Sequence, residues 1–163
     1  INPRQPHTKG DRDVAVKTVS VNRKATHDYF IVERFEAGMV LLGTEIKSIR
    51  KGSVQFKDAY IEFKNGEAFI REMYIAQYEF GNRFNHEETR DRKLLMHKAE
   101  IAKLQKKVKL KGFTVIPLQM YLKDGRAKLE IALAEGKDLH DKREASKERD
   151  AKREIDKIMK DKR

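Results

Sequence analysis

Lysine, arginine, histidine and tyrosine recur along this chain in short clusters, and the chemistry these residues share is the grip of a polyanion. Asn22–Arg23–Lys24 stands just before His27–Asp28–Tyr29, Arg90–Asp91–Arg92–Lys93 precedes a helix-forming run, and His140–Asp141–Lys142–Arg143 opens the last stretch of the chain. Lys and Arg release counterions from phosphates, and Arg, His and Tyr also stack on exposed bases. Each cluster alone reads equally well as a solvated face. Three of them in a chain with 37 Lys and Arg against 26 Asp and Glu, a formal net charge of +11, favour a nucleic acid or an anionic surface as partner. Tyr29, Tyr60 and Tyr121 are candidate stacking platforms, with core positions as the alternative.

Other kinds of chemistry lack their residues. There is no HExxH, no Walker-type phosphate loop and no GxSxG. The histidines are His7, His27, His86, His97 and His140, and no two stand at metal-ligand spacing. His86 followed by Glu87 and Glu88 could serve a metal or a general base, but a solvated loop is the simpler reading. Cysteine is absent, which removes disulfides and thiolate metal sites. The expectation is a binding protein rather than an enzyme, with no metal and no cofactor. No apolar run approaches the roughly 20 residues of a membrane span, and no signal-peptide pattern stands at the N-terminus. The expected location is the cytoplasm, with no membrane partner.

The elements that must position these clusters are mainly strands. Residues 1–21, with two of the three prolines and a thin alternation of Val14, Val16, Val19 and Val21, read as a flexible N-terminal arm. The body spans 22–136. Strands are expected at 29–35 and 39–42 around a turn at Glu36–Ala37–Gly38, followed by a short helix over 45–51 capped by Thr44, with Ile46 and Ile49 inward and Gly52 as its stop. Asn65–Gly66 between 59–63 and 67–71, and Asp124–Gly125 between 113–122 and 128–134, are hairpin signals. In the third of these strands Phe113, Val115, Pro117, Gln119 and Tyr121 fall on one face and Thr114, Ile116, Met120 and Leu122 on the other, and Pro117 asks for an edge or a bulge. Ile101, Leu104 and Val108 mark one clear helix, starting near His97 with Glu100 in a capping-box position and ending at Gly112. Strands arriving as hairpins, both faces apolar in places, fit an oligonucleotide-binding (OB-type) barrel with flanking helices better than a βαβ fold. In 137–163 acidic and basic residues interleave around a narrow stripe of Ala151, Ile155, Ile158 and Met159. Paired charges at helical spacing stabilise such a segment by only about 0.2–0.5 kcal/mol each. The expectation is a C-terminal tail disordered when free and helical against a partner.

Taken in order, several of these stretches resemble one family. Asn22-Arg23-Lys24-Ala25-Thr26-His27-Asp28-Tyr29, Glu36-Ala37-Gly38, Gly43-Thr44-Glu45-Ile46-Lys47-Ser48-Ile49-Arg50, Arg92-Lys93-Leu94-Leu95-Met96-His97-Lys98 with Glu100-Ile101, and Gly136-Lys137 with His140-Asp141-Lys142-Arg143-Glu144 are similar, in sequence order and spacing, to the SmpB family, the protein partners of transfer-messenger RNA (tmRNA). The resemblance implies an OB-type barrel and a non-enzymatic role in bacterial trans-translation. Such a protein binds the tRNA-like domain of tmRNA, takes the place of its missing anticodon arm, and delivers alanyl-tmRNA to stalled ribosomes. Elongation factor Tu and alanyl-tRNA synthetase are implied as partners through the same RNA.

By position, the resemblance implies tmRNA contacts at Glu36, Leu95, His97 and Lys128. It places Asn22, Arg23, Lys24, His27, Lys47, Arg50, Arg92, Lys93 and Lys98 on the same surface. Glu36 repels phosphate but can accept hydrogen bonds from base amino groups or a ribose hydroxyl; a turn carboxylate orienting a nearby Arg is the alternative. In the tail, the resemblance implies that His140 stacks on small-subunit rRNA in the decoding centre, with Lys137, Asp141, Lys142 and Arg143 nearby, and that Ile158 and Met159 enter the empty mRNA channel. Asp138 and Leu139 depart from the family's usual residues there. The alternatives to this reading are a general single-strand RNA-binding barrel and an RNA-processing enzyme.

Overall fold

The computed structural model describes residues 15–137. The tail residues His140, Asp141, Lys142, Arg143, Ile158 and Met159, and the expected coil-to-helix behaviour of the tail, lie outside the described residues.

Among the described residues nine strands and three α-helices follow one another, with one short 3-10 turn at Asn82–Phe84: β1 (Val16–Val21), α1 (Lys24–Asp28), β2 (Tyr29–Met39), α2 (Gly43–Arg50), β3 (Val54–Gln55), β4 (Tyr60–Lys64), β5 (Glu67–Arg71), β6 (Tyr74–Ile75), β7 (Arg92–Leu95), α3 (Lys98–Val108), β8 (Phe113–Lys123) and β9 (Arg126–Gly136). Both expected hairpins form. Asn65 and Gly66 have φ of 54° and 75°, and Asp124 and Gly125 have 53° and 80°. That pair of positive angles is what a two-residue turn matched to strand twist requires, and Asn, Asp and Gly reach it at least cost. The hairpins join a closed circuit: β8, β9, β2, β7, β5 and β4 each pair with the next, and β4 returns to β8 through Ile61 and Val115. The architecture is mainly β, as expected. An OB barrel has five strands; this circuit, among the described residues, has six.

Inside the circuit Ile49, Ile61, Ile70, Leu94, Leu104, Met120, Leu129 and Ile131 are buried in one core, with α3 laying Ile101 and Leu104 against it. A smaller apolar cluster lies on the other face of β8 and β9. There Ala25 of α1 covers Ile116, Leu118, Ala132 and Ala134, with Tyr29 and Ile31 beside them. Apolar residues on both faces of the 113–134 hairpin therefore have two covers.

Several expectations are corrected. Val16–Val21, assigned to a flexible arm, is a strand on the edge of β8, and Ala15 accepts a 2.7 Å hydrogen bond from the Asp124 N–H. Glu36–Gly38 is not a turn, because β2 runs unbroken to Met39, and its irregularity lies between Ile31 and Glu33. The bulge asked for by Pro117 falls between Pro117 and Gln119. It reverses the faces beyond it: Val115 and Met120 both enter the core, and Gln119 and Tyr121 turn outward. Thr44 does not cap α2. The cap position is Leu42, whose N–H donates to Glu45 at 2.8 Å, and the Thr44 hydroxyl pairs with His86. His86 is buried rather than solvated. A carbonyl only accepts, so His86 Nε2 donates to Ile75 O (2.9 Å), and its Nδ1 shares a 2.9 Å hydrogen bond with the Thr44 hydroxyl, a structural role.

Arg92 is the largest correction. Along β7 the pattern Arg92 in, Lys93 out, Leu94 in, Leu95 out follows the two-residue period of a strand. Arg92 is therefore 0% exposed and faces Glu45, also 0% exposed, with Nε donating to Glu45 Oε2 at 2.6 Å. Its Nη1 donates to Met73 O (2.6 Å) and Nη2 to Glu88 O (3.1 Å). Arg90 closes the other carboxylate oxygen at 2.6 Å. Burial pushes the Glu45 carboxyl up, but hydrogen bonds from Arg90 and Leu42 and the charge of Arg92 outweigh it and hold the group below its ordinary 4.5. Burial pulls Arg92 down against the opposing charge of Glu45.

Glu45→Gln leaves the Arg92 guanidinium buried without its counter-charge, a loss of roughly 3–5 kcal/mol. A depressed carboxyl contributes its stability fully above its unfolded value and loses it as pH falls through the lower folded value. Urea midpoints of the parent and Glu45→Gln chains should therefore differ by a constant amount from neutral pH down to about pH 4.5 and draw together only as pH falls further. A gap already narrowing between about pH 7 and pH 5, where the carboxyl is ionised folded and unfolded alike, would show that the ionised carboxylate is not what holds Arg92.

Candidate nucleic-acid interface

Because Arg92 and Leu94 point in, Lys93 and Leu95 point out, and they open onto a groove of about 500 Å³. Its walls are Glu36 and Gly38 of β2, the outward face of β7, and Lys128 of β9. The start of α3 supplies His97, Lys98, Glu100 and Ile101. Glu100 accepts the His97 N–H at 3.2 Å, so the capping contact that starts α3 also fixes the backbone carrying the His97 ring. Gly38 forms the floor. A Cβ there would stand 3.4 Å from Leu95 Cβ and 3.8 Å from Lys128 Nζ, filling the space between them. A second hollow shares Gly38, Leu95 and Lys128 and runs on to Ile46 and Arg50 of α2 and to Arg126.

The groove is amphipathic. Leu95 is 53% exposed on a strand whose inward residues are fully buried, an apolar ridge among cations. Lys93 is paired with Glu67. Among the described residues Lys98, Lys128 and Arg50 have no ion-pair partner, so their charges are available to phosphate.

From the groove a polar strip crosses the outer face of β2, β9 and β8. Glu36 accepts the Tyr121 hydroxyl and lies 3.6 Å from Lys123 Nζ. Its register neighbour Glu130 accepts from Gln119 at 3.1 Å and from Arg34 at 3.5 Å. Those side chains border a hollow whose far rim is Asn22 and Arg23. Burial pushes the Tyr121 phenol well up, and the Glu36 carboxylate that accepts its proton adds to the rise.

The sequence-predicted residues thus sort into groups. Glu36, Lys93, Leu95, His97, Lys98 and Lys128 meet at one groove, with Arg50 at its extension. Asn22 and Arg23 lie at the other end of the strip, and Lys24 beside Asp28, Tyr29 and Lys57. The Asn22 amide donates to Pro117 O at 2.8 Å, so it holds α1 to the β8 bulge. His27 is exposed and contacts Asp28 at 2.7 Å. Lys47 does not line the groove; its ammonium sits over the Tyr78 ring at 5.2 Å. Arg92 is buried in the ion pair and does not face the groove. Glu36 lies mid-strand beside a Tyr and a Lys, so the alternative of a turn carboxylate orienting an Arg does not hold. Sequence reasoning missed Arg34, Gln119, Glu130 and Tyr121 as one network; the signal was the register from the Asp124–Gly125 turn, usable only with the bulge in place.

Comparison with known proteins puts this geometry in context. The family model described as SmpB protein matches residues 19–161. A protein named SsrA-binding protein from Desulforudis audaxviator (strain MP104C) is 56% identical over 139 residues, 85% of this chain and 91% of its own. One of the same name from Persephonella marina (strain DSM 14350 / EX-H1) is 53% identical over 149 residues, 91% of this chain and 98% of its own. A solved structure described as "tmRNA-SmpB: a journey to the center of the bacterial ribosome" superimposes with a TM-score of 0.65 at 44% identity, covering 78% of this chain and 93% of that one.

Tyr121 offers a direct check on the strip. In an NMR titration of ring-labelled tyrosines, Tyr121 should ionise above the ordinary tyrosine value of 10, and Glu36→Gln should lower its ionisation point without returning it to that value, since burial remains. An unchanged Tyr121 titration in Glu36→Gln would mean the two groups are not in contact in solution.

Proposed function

The chain belongs to the SmpB family, and from that premise we propose that it is a tmRNA-binding protein of trans-translation, which holds the tRNA-like domain of tmRNA in the groove between β7, β9 and the start of α3. The observation that carries the proposal is convergence. Six residues assigned to RNA contact from sequence, Glu36, Lys93, Leu95, His97, Lys98 and Lys128, come from four separate elements and line one groove. Unpaired cations supply phosphate affinity. Leu95 and the His97 ring offer surfaces for unstacked bases, and Glu36 an acceptor for a base amino group or a ribose hydroxyl. That mixture suits a looped RNA better than a regular duplex, which presents mainly phosphate and 2′-hydroxyl groups. The polar strip carries the interface toward Arg23 and Lys24. The relatives are named for binding SsrA, in keeping with a binding role rather than catalysis.

The finer steps belong to the same proposal. With tmRNA held, the protein stands where an anticodon arm would be and accompanies alanyl-tmRNA, charged by alanyl-tRNA synthetase and carried by elongation factor Tu, to stalled ribosomes. The tail from Lys137 onward then acts at the small subunit, with His140, Asp141, Lys142 and Arg143 at decoding-centre rRNA and Ile158 and Met159 in the vacant mRNA channel. Such work is done in the cytoplasm. Among the described residues no helix is long and apolar enough to cross a membrane.

The test is equilibrium binding to an isolated tRNA-like-domain RNA against an unrelated hairpin of equal length. Lys128→Ala should weaken tRNA-like-domain binding and reduce the salt slope by about one ion. Leu95→Asp should weaken it by tenfold or more and remove most of the preference over the hairpin. A chain ending at Lys137 should bind the RNA as before yet fail to tag stalled ribosomes. Equal affinity of the parent for both RNAs would overturn the specific reading and leave a general RNA-binding barrel.

A further inference from the structure

The 78–85 loop holds two of the most exposed aromatic side chains among the described residues. Phe80 is 67% exposed and Phe84 is 76% exposed. Tyr78 packs edge-on against Phe80 with ring centroids 5.5 Å apart. Cations surround the three rings: Lys47 and Lys51 lie 5.2 and 5.1 Å from the Tyr78 centroid, Lys51 lies 5.5 Å from Phe80, and Arg83 lies 5.0 Å from Phe84. The one acid here, Glu79, is at the rim, 3.6 Å from Lys51.

The loop is built to hold this shape. Asn85 clamps both polar groups of the Tyr78 backbone, accepting from its N–H at 2.9 Å and donating to its carbonyl at 2.6 Å. The Gly81 N–H donates to Tyr78 O (2.9 Å) and the Phe84 N–H to Gly81 O (3.1 Å). A Cβ at Gly81 would meet Asn85 Nδ2 at 2.6 Å, so the clamp needs glycine there. Below it, Gln77 donates to His86 O at 3.0 Å, and buried His86 ties the base to Thr44 and Ile75. Apolar rings exposed on a mobile loop can fold back onto the protein. Rings held out by a closed hydrogen-bond clamp stay in water, which is unfavourable unless a partner covers them.

We propose that Phe80, Phe84 and Tyr78, with Lys47, Lys51 and Arg83, form a second nucleic-acid site that takes unpaired bases of a single-stranded stretch. Preordered aromatic faces stack on any base, and flanking cations follow the backbone phosphates. An acidic peptide would satisfy the cations but leave the Phe80 and Phe84 faces bare. The site does not rest on the groove reading. None of these six residues lines the groove, and α2 separates the two, with Ile46 and Arg50 toward the groove and Lys47 and Lys51 toward the loop.

The chain has no Trp, so Phe84→Trp in the full chain gives a single reporter. Titration with single-stranded oligoadenylate should quench it saturably. A blunt RNA duplex of equal length, polyphosphate and polyglutamate should not. Phe80→Ala/Phe84→Ala should weaken oligoadenylate binding by roughly tenfold and leave the thermal midpoint unchanged, because both rings are exposed. Lys47→Ala/Lys51→Ala should weaken it as well and flatten its salt dependence. Absence of quenching by oligoadenylate, equal quenching by polyphosphate, polyglutamate or the duplex, or unchanged affinity in the double Phe variant would each overturn the site.

Discussion

The buried pair of Glu45 and Arg92 sets the positions of almost everything that faces outward. Glu45 belongs to the first turn of α2 and Arg92 to the start of β7, and neither is exposed. Desolvating two charges is so costly that such a pair contributes little net stability against an apolar alternative; what it does is penalise any arrangement in which either charge is left alone. A one-residue slip of β7 would turn Arg92 to solvent, strand Glu45, and exchange Lys93 and Leu95 for core positions. The pair therefore fixes the register that opens the groove. Through Arg92 it also satisfies the carbonyls of Met73 and Glu88, and through Arg90 it reaches Val40 O at the end of β2. The segment from β6 to β7, which contains the 78–85 loop, is thus tied down near both its ends.

Two bulges then decide what lies on the outer sheet face. In β2 the shift between Ile31 and Glu33 moves odd-numbered residues from the outer cluster under α1, where Ile31 sits, to the inner core, where Phe35, Ala37 and Met39 pack. The shift after Pro117 does the reverse bookkeeping in β8, bringing Met120 inward and Tyr121 outward. Without both, Glu36 and Tyr121 would not meet. One end of the outer face is apolar and covered by α1; the other is polar and open, and the change occurs at the bulges.

Much of this was legible in the sequence, because it is set by local chemistry. Asn65–Gly66, Asp124–Gly125, the Ile101–Leu104–Val108 spacing and Pro117 each act through the residues beside them. What was not legible depends on partners far along the chain. Arg90–Asp91–Arg92–Lys93 reads as a basic cluster, and only the alternation with Leu94 hints that one of its cations is internal; that hint has no force until a buried carboxylate is known to wait 47 residues away. His86 beside two glutamates reads as solvated because its partners, Thr44 and Ile75, are remote. Val16–Val21 is half exposed and has too little apolar content to declare itself, and it becomes a strand because β8 offers a free edge.

The acids of the groove bear on how such a basic protein discriminates. Glu36, Glu67 and Glu100 stand among Lys93, Lys98 and Lys128. Generic phosphate attraction is weakened there, since every carboxylate repels a backbone that does not offer it a donor. Glu36 is held by Tyr121 and Lys123, so it cannot swing away to admit a poorly matched ligand. If the groove holds RNA as proposed, affinity must come from contacts that depend on RNA shape, with Leu95 and His97 placed for bases and the unpaired lysines for phosphates. A surface of cations alone would bind more tightly and choose less.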